Sequence, residues 1–287
     1  MVKTILVPLE GRSGDQIALE TAHLAAQIFS SHLDCLFVRL DPVEIAARTA
    51  TLDIDVPNIA PEIWAVLEQQ EDARRDAAHR AFTAFSHAKG IEPASSPAKS
   101  SAISAAWNEI TGNATDETVH HARVSELVVM ARASDFEGSL TRIGEVLVRS
   151  GRPVILAPRS APGTLGSTIA IAWKDTAEAA RALTASMPFL VKARKVVLIS
   201  ADEGDGLAAG SADRLMRALE WRGIDAALRC LTRTHDTSMQ ILDAAGKEGA
   251  DLLVMGGYSH SRAQELIFGG VTRSVIRDAP LPVLMCH

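Results

Sequence analysis

The same succession of short apolar runs occurs twice in this chain of 287 residues. Thr4–Leu9 (TILVPL) is matched by Thr168–Trp173 (TIAIAW), and GRPVIL, ending at Leu156, by PLPVLM, ending at Met285. A duplication on this scale restricts the fold severely, because one supersecondary order must serve both copies. The length suits two ordinary domains or one large one, and the duplication favours two. Within each copy, apolar runs too short for helices and bounded by glycine or proline alternate with segments of helical period. That is the pattern of buried strands in a parallel sheet joined by right-handed helical crossovers.

In the first copy the spacing predicts a strand over Thr4–Leu9 and then a helix opened by a capping box, Ser13-Gly-Asp-Gln16, with Ile17, Thr21, Leu24 and Ile28 inward. A second strand over Leu33–Arg39 follows. Asp41–Pro61, with three prolines, reads as a loop or short helical insert. Glu62 to about Lys89 is a long helix whose charged middle (Glu71, Asp72, Arg74, Arg75, Asp76) reads as a solvated surface, with a partner contact as the alternative. Ile103–Glu109 is a weaker strand, Thr115–Val124 a helix, and Leu127–Met130 and Pro153–Ala157 the fourth and fifth strands. Arg159–Ser167 (RSAPGTLGS) is a linker. The second copy repeats the order: Thr168–Trp173; a helix capped at Asp175-Thr-Ala-Glu178 with Ala180, Leu183, Met187 and Val191 inward; Lys195–Ser200; a helix through Leu215–Trp221; Ala226–Leu231; a helix over Ser238–Lys247; and a closing strand over Pro282–Cys286.

The net charge of −6 and the lack of a long basic run argue against a nucleic-acid groove. Cys35, Cys230 and Cys286 each lie in or beside an apolar run, so three buried free thiols in a reducing compartment are expected. The opening MVKTILVPLEG is too quickly polar for a signal peptide, and nothing approaches about 18 consecutive apolar residues, so a soluble cytoplasmic protein with no membrane span is expected. His120 and His121 point about 100° apart on a helix and cannot readily chelate one metal, so no metal site is expected.

The chemistry concentrates in Ala250–Arg273. Leu252–Met255 is a strand, Gly256-Gly257 breaks it, and after a polar loop Gly269-Gly270 opens a helix that stops before Pro280. Bare backbone N–H groups and the positive end of a helix dipole suit an anion such as phosphate; the alternative is that the glycines merely allow tight strand–helix packing. The spacing resembles the ATP-binding signature of the universal stress protein family: glycine, two residues, glycine, nine residues, then glycine and Ser or Thr. Here Gly256, Ser259, Gly269 and Gly270 hold those positions, a partial match, with Ser259 in place of glycine and Gly270 in place of the hydroxyl residue.

The resemblance implies an α/β fold: two tandem doubly wound, Rossmann-like domains at 1–158 and 168–287, each a five-stranded parallel sheet of order 3-2-1-4-5 flanked by helices. Ligands in such sheets sit beyond the strand carboxyl ends where the order reverses. It further implies contacts to ATP or another adenine nucleotide, with accompanying magnesium, from Met255, Gly256, Tyr258, Ser259, Gly269, Gly270, Val271 and Thr272, with Lys174 at the position where relatives place a nucleoside-binding aspartate. Fifth-strand pairing in the family implies an internal pseudo-dimer through Val154–Leu156 and Val283–Met285, with a homodimer also open.

The copies differ at the loop. Twenty-three positions separate Met130 from Pro153 and 27 separate Met255 from Pro282, and Ala131-Arg132 stands where the second copy has Gly256-Gly257. Glu10 supplies the acidic residue that Lys174 lacks. The first copy therefore reads as nucleotide-free and structural. Two functions compete: a non-catalytic stress protein binding an adenine nucleotide in its second half, and a nucleotide-free protein-interaction or chaperone-like module of the same fold with an unknown protein partner. No P-loop, zincin or nucleophile-elbow motif supports an enzyme, though slow ATP hydrolysis stays open.

Overall fold

The structure, a computed structural model, describes residues 2–40, 61–91, 94, 102–132, 136–202, 207–232, 236–257 and 269–287. The elements of the first half are β1 (Thr4–Leu9), α1 (Gly14–Phe29), β2 (His32–Leu40), α2 (Pro61–Lys89), β3 (Ser104–Gly112), α3 (Ala114–Arg123), β4 (Leu127–Met130), α4 (Phe136–Ser150) and β5 (Val154–Leu156). Those of the second half are β6 (Thr168–Trp173), α5 (Ala177–Leu190), β7 (Lys195–Asp202), α6 (Leu207–Glu220), β8 (Ala226–Thr232), α7 (Thr237–Lys247), β9 (Leu252–Gly256), α8 (Gly270–Asp278) and β10 (Val283–Cys286). Most of the insert expected at Asp41–Pro61 lies outside the described residues.

All strands form one ten-stranded sheet in the order β3-β2-β1-β4-β5-β10-β9-β6-β7-β8. Each half has the expected order 3-2-1-4-5 with parallel neighbours. The halves meet at the expected pair of fifth strands, which run antiparallel, Val154, Ile155 and Leu156 against Met285, Leu284 and Val283. Because this pair is antiparallel while the other described pairs are parallel, the strand carboxyl ends of the two halves point to opposite ends of the sheet.

Alternation along the strands feeds two apolar layers. Ile5 and Val7 join Leu19, Phe85, Ile169, Phe189 and Leu198 beneath α1, α2, α5 and α6. Leu6 joins Val128, Ile143, Leu147, Leu253, Met255 and Val275 beneath α3, α4, α7 and α8. Each layer draws on both halves, and at the seam Phe29 meets Phe189 edge-to-face with centroids 4.7 Å apart.

Several local expectations are corrected. Ser13 caps nothing and is itself helical in backbone; the N–H groups of Glu10, Gly11 and Arg12 donate instead to Asp15, at 3.0, 2.8 and 3.3 Å. Thr21 is buried as expected, but the deep apolar face of α1 is Ala18, Leu19, Ala22, Ala25, Ala26 and Phe29, with Ile17, Leu24 and Ile28 half-buried, because α1 is covered on more than one side. In α5 the cap is Thr176, accepting from Ala179 N–H, rather than Asp175. Its inward residues are Ala179, Ala182, Ser186, Phe189 and Leu190, while Ala180 and Val191 are exposed. Cys35 and Cys286 are buried, but Cys230 is exposed, since β8 is an outer strand of the sheet. No described helix is long and apolar enough to cross a membrane.

Candidate functional site

The second-half crevice lies beyond the carboxyl ends of β6 and β9, at the reversal of strand order. Gly256 ends β9 directly beneath the first turn of α5. A Cβ there would stand 2.6 Å from Ala179 N and 2.9 Å from Glu178 C, so the close approach excludes any side chain. Gly256 therefore allows tight strand–helix packing. Gly257 is also engaged: its N–H donates to Cys286 O at 2.8 Å. Met255 is a buried strand residue paired with Ala172 and Met285. Tyr258 and Ser259, with His260 and Arg262, lie outside the described residues.

At the far side of the loop, Gly269 is the N-cap of α8, with no side-chain cap, and its carbonyl accepts from Arg273 N–H at 3.0 Å. Gly270 begins the helix, and a Cβ there would meet no atom of the described residues within 4 Å. Neither glycine has the positive φ that would demand glycine. Thr272 is buried on the same face as Val275 and Ile276, whereas Val271 is 38% exposed and turns outward. Lys174 is exposed at the end of β6, and its carbonyl accepts from Thr176 N–H. Asp175 pairs with Arg214 of α6 at 2.8 Å. Burial pushes the Cys286 thiol up to about 12, so it stays protonated at neutral pH.

The first-half crevice is occupied by the chain itself. Gly11 (φ +69°) follows β1, and a Cβ on it would stand 2.2 Å from the main-chain oxygen of Arg74. Of the charged middle of α2, Asp72 and Asp76 are exposed as expected, whereas Glu71 is buried and Arg74 lies against the β1 turn. Arg74 donates Nε to Glu10 O (3.1 Å) and Nη1 to Glu71 (2.5 Å), and its guanidinium lies 5.6 Å from the centre of the Phe37 ring. Glu71, 6% exposed, also accepts from Leu40 N–H at the end of β2. The Glu10 carboxylate pairs with Arg142 of α4. Asp15 is raised to about 6, by burial first and by the neighbouring Glu10 charge, against its backbone hydrogen bonds. Sequence reasoning missed this cluster; the signals were the Glu71–Arg74 spacing of one helical turn and a glycine directly after a strand. His120 and His121 face Glu117 and Asp34 at 4.0 and 3.8 Å. Among the described residues no group of His, Cys, Asp or Glu side chains is arranged to hold a metal ion.

Residues 163–287 match the model of the Universal stress protein family. The match does not extend over the first half, which nevertheless has the same strand order. No curated protein matches the chain. Among solved structures, the chain is similar to a universal stress protein from Archaeoglobus fulgidus DSM 4304, at 19% identity, covering 99% of this chain and 95% of that one, with a TM-score of 0.69. It is also similar to a functionally unknown protein from Pseudomonas aeruginosa PAO1, at 15% identity, covering 99% and 92%, with a TM-score of 0.58. At these identities the likeness is one of fold.

Proposed function

We propose that the chain is a tandem universal stress protein, with units at 1–158 and 168–287, that takes an adenine nucleotide in its second unit and does no chemistry on it. The observation that carries this reading is the start of α8. Among the described residues no side chain caps its first-turn N–H groups and no atom stands within 4 Å of a Cβ placed on Gly270, and the helix begins at the strand ends of the half that matches the family. Such a terminus favours a phosphate through both its donors and its dipole. Magnesium would accompany the nucleotide, Val271 and Lys174 would flank it, and the first unit, filled by Arg74, Glu71 and Glu10, would stay empty. On this reading the protein is a cytoplasmic stress-response protein whose bound state alters an unknown protein partner.

One observation favours the second reading, a nucleotide-free interaction module: Gly256 and Gly257 serve packing and the sheet, leaving fewer backbone donors for a ligand than the family signature suggests. Titration of labelled ATP with magnesium against wild type and Gly270→Asp separates the two. The aspartate fits the open space and suits the helix dipole, so the fold stands while the phosphate is repelled. Saturable binding lost at least about tenfold in the variant, an opposed energy of roughly 1.4 kcal/mol, supports the nucleotide reading. No binding by wild type, or equal curves, overturns it. Gly256→Val is the wrong probe, because overpacking against Ala179 costs about 1–3 kcal/mol of stability by itself.

A further inference from the structure

Helix α8 joins the two crevices. Its first residue lies beyond the carboxyl end of β9, and because β10 runs antiparallel to β5, its last turn emerges at the carboxyl ends of β4 and β5. Two arginines of the first half meet it there. Arg132, just past β4, donates Nη1 to Ala279 O at 2.7 Å, and Arg159, just past β5, donates Nη2 to Arg277 O at 3.3 Å. The last carbonyls of a helix lack partners within it, and cations are favoured at that end.

The Arg132 side chain is held at a cost. Its Nε and Nη2 are buried and have no hydrogen-bond partner. Burial, then the like charge of Arg159, pulls its guanidinium down to about 10, opposed by Asp278. Asp278 is itself bonded by Arg277 at 2.9 Å. Buried polar groups are normally satisfied, and an apolar side chain is often as stable as a buried charge with incomplete partners. A residue that breaks a local rule without a stability gain points to function. The equivalent position in the second half is Gly257, which has no side chain to reach across; the nearest side-chain atom to its would-be Cβ is Leu147 Cδ1 of α4, at 3.8 Å.

We propose that Arg132 and Arg159 are positioning residues that anchor the C-terminal end of α8 to the first half, and so set the anion affinity of its N-terminal end in the second. The first half is then the fixed end of the ligand site rather than a spare copy of it. The affinity part rests on the nucleotide reading above; the anchoring part does not.

The test uses the full chain with Arg132→Met, Arg132→Lys, Arg159→Ala and the Arg132→Met/Arg159→Ala double variant, read by amide hydrogen exchange, urea midpoint and labelled-ATP titration. The double variant should exchange the α8 amides at least about tenfold faster while β1 and β2 keep their protection. Arg132→Met alone should leave the urea midpoint unchanged or raised. ATP affinity should fall roughly fivefold or more in the double variant, within the usual range of coupling between sites, and Arg132→Lys should recover most of it. Unchanged α8 exchange overturns the anchoring. Faster exchange with unaltered affinity overturns the coupling, and loss of protection spread over the whole chain with a lowered midpoint reduces both arginines to ordinary structural supports. If wild type takes no ATP, the nucleotide reading falls on that titration, and the exchange arm still decides the anchoring.

Discussion

Gly14 and Gly256 occupy two sides of what is the same contact in the two halves. In each half the end of the fourth strand passes so close to the first turn of a helix that one of the facing residues must lack a side chain. In the first half the glycine is on the helix: a Cβ on Gly14 would stand 2.8 Å from Ala131 Cβ. In the second half it is on the strand, with Glu178 and Ala179 on the helix. Ala131 and Gly14 thus meet the same packing demand as Gly256 and Ala179 with the glycine on the other side. Asp15 carries a prediction at this scale. Its carboxyl titrates near 6 in the fold against 3.8 as a free side chain, so between about pH 4 and 6 the folded state binds more protons than the unfolded chain. The stability contribution is then present below pH 4 and lost as pH rises through 6. Urea unfolding across pH 4–7 should show wild type losing up to roughly 3 kcal/mol relative to Asp15→Asn, at about 1.4 kcal/mol per pKa unit; parallel profiles would refute it. Ser13-Gly-Asp-Gln16 displayed all the right residues for a helix start. Which oxygen does the capping depends on the backbone of the preceding turn, and composition does not reveal that.

Among the elements, the strands were the most legible, because a strand buried on both faces is a nearly unbroken apolar run whose ends are marked by polar residues. Thr4–Leu9 and Thr168–Trp173 are found within the limits their patterns predict. Helix faces were less legible: α1 and α5 pack on the sheet and also on neighbouring helices, which broadens the inward stripe and blurs its phase. α2 was misread for a related reason. A charged run looks the same whether it faces water or a set of buried partners, and the partners of Glu71 and Arg74 lie 31 and 64 residues away in sequence. Arg74→Ala leaves the buried Glu71 with its Leu40 N–H bond but no cation, and removes the donor to Glu10 O. A loss of roughly 2–3 kcal/mol is expected, at the low end for a broken buried pair because Arg74 is part-exposed. Chemical denaturation measures it; a loss under about 0.5 kcal/mol, the size of an ordinary surface change, would return α2 to the status of a solvated cover.

For the whole molecule, the duplication and the seam could be read from paired segments, whereas the packing of α2 on the turn after β1 could not, because it depends on where that helix comes to rest. Both apolar layers run through both halves, so the halves should unfold together. Variants retaining only Trp107 or only Trp173, the others changed to Phe, report on the first and second half. Their fluorescence midpoints in urea should coincide, and two separated transitions would show independent halves. The antiparallel seam has a last consequence. Its strand pairing spans three residue pairs, and the apolar layers that cross it belong to both halves. Covalent linkage holds the two partners at an effective concentration on the order of millimolar, whatever the abundance of the protein. Their pairing is thereby freed from mass action: it cannot be dissociated by dilution or competed away by a stray copy.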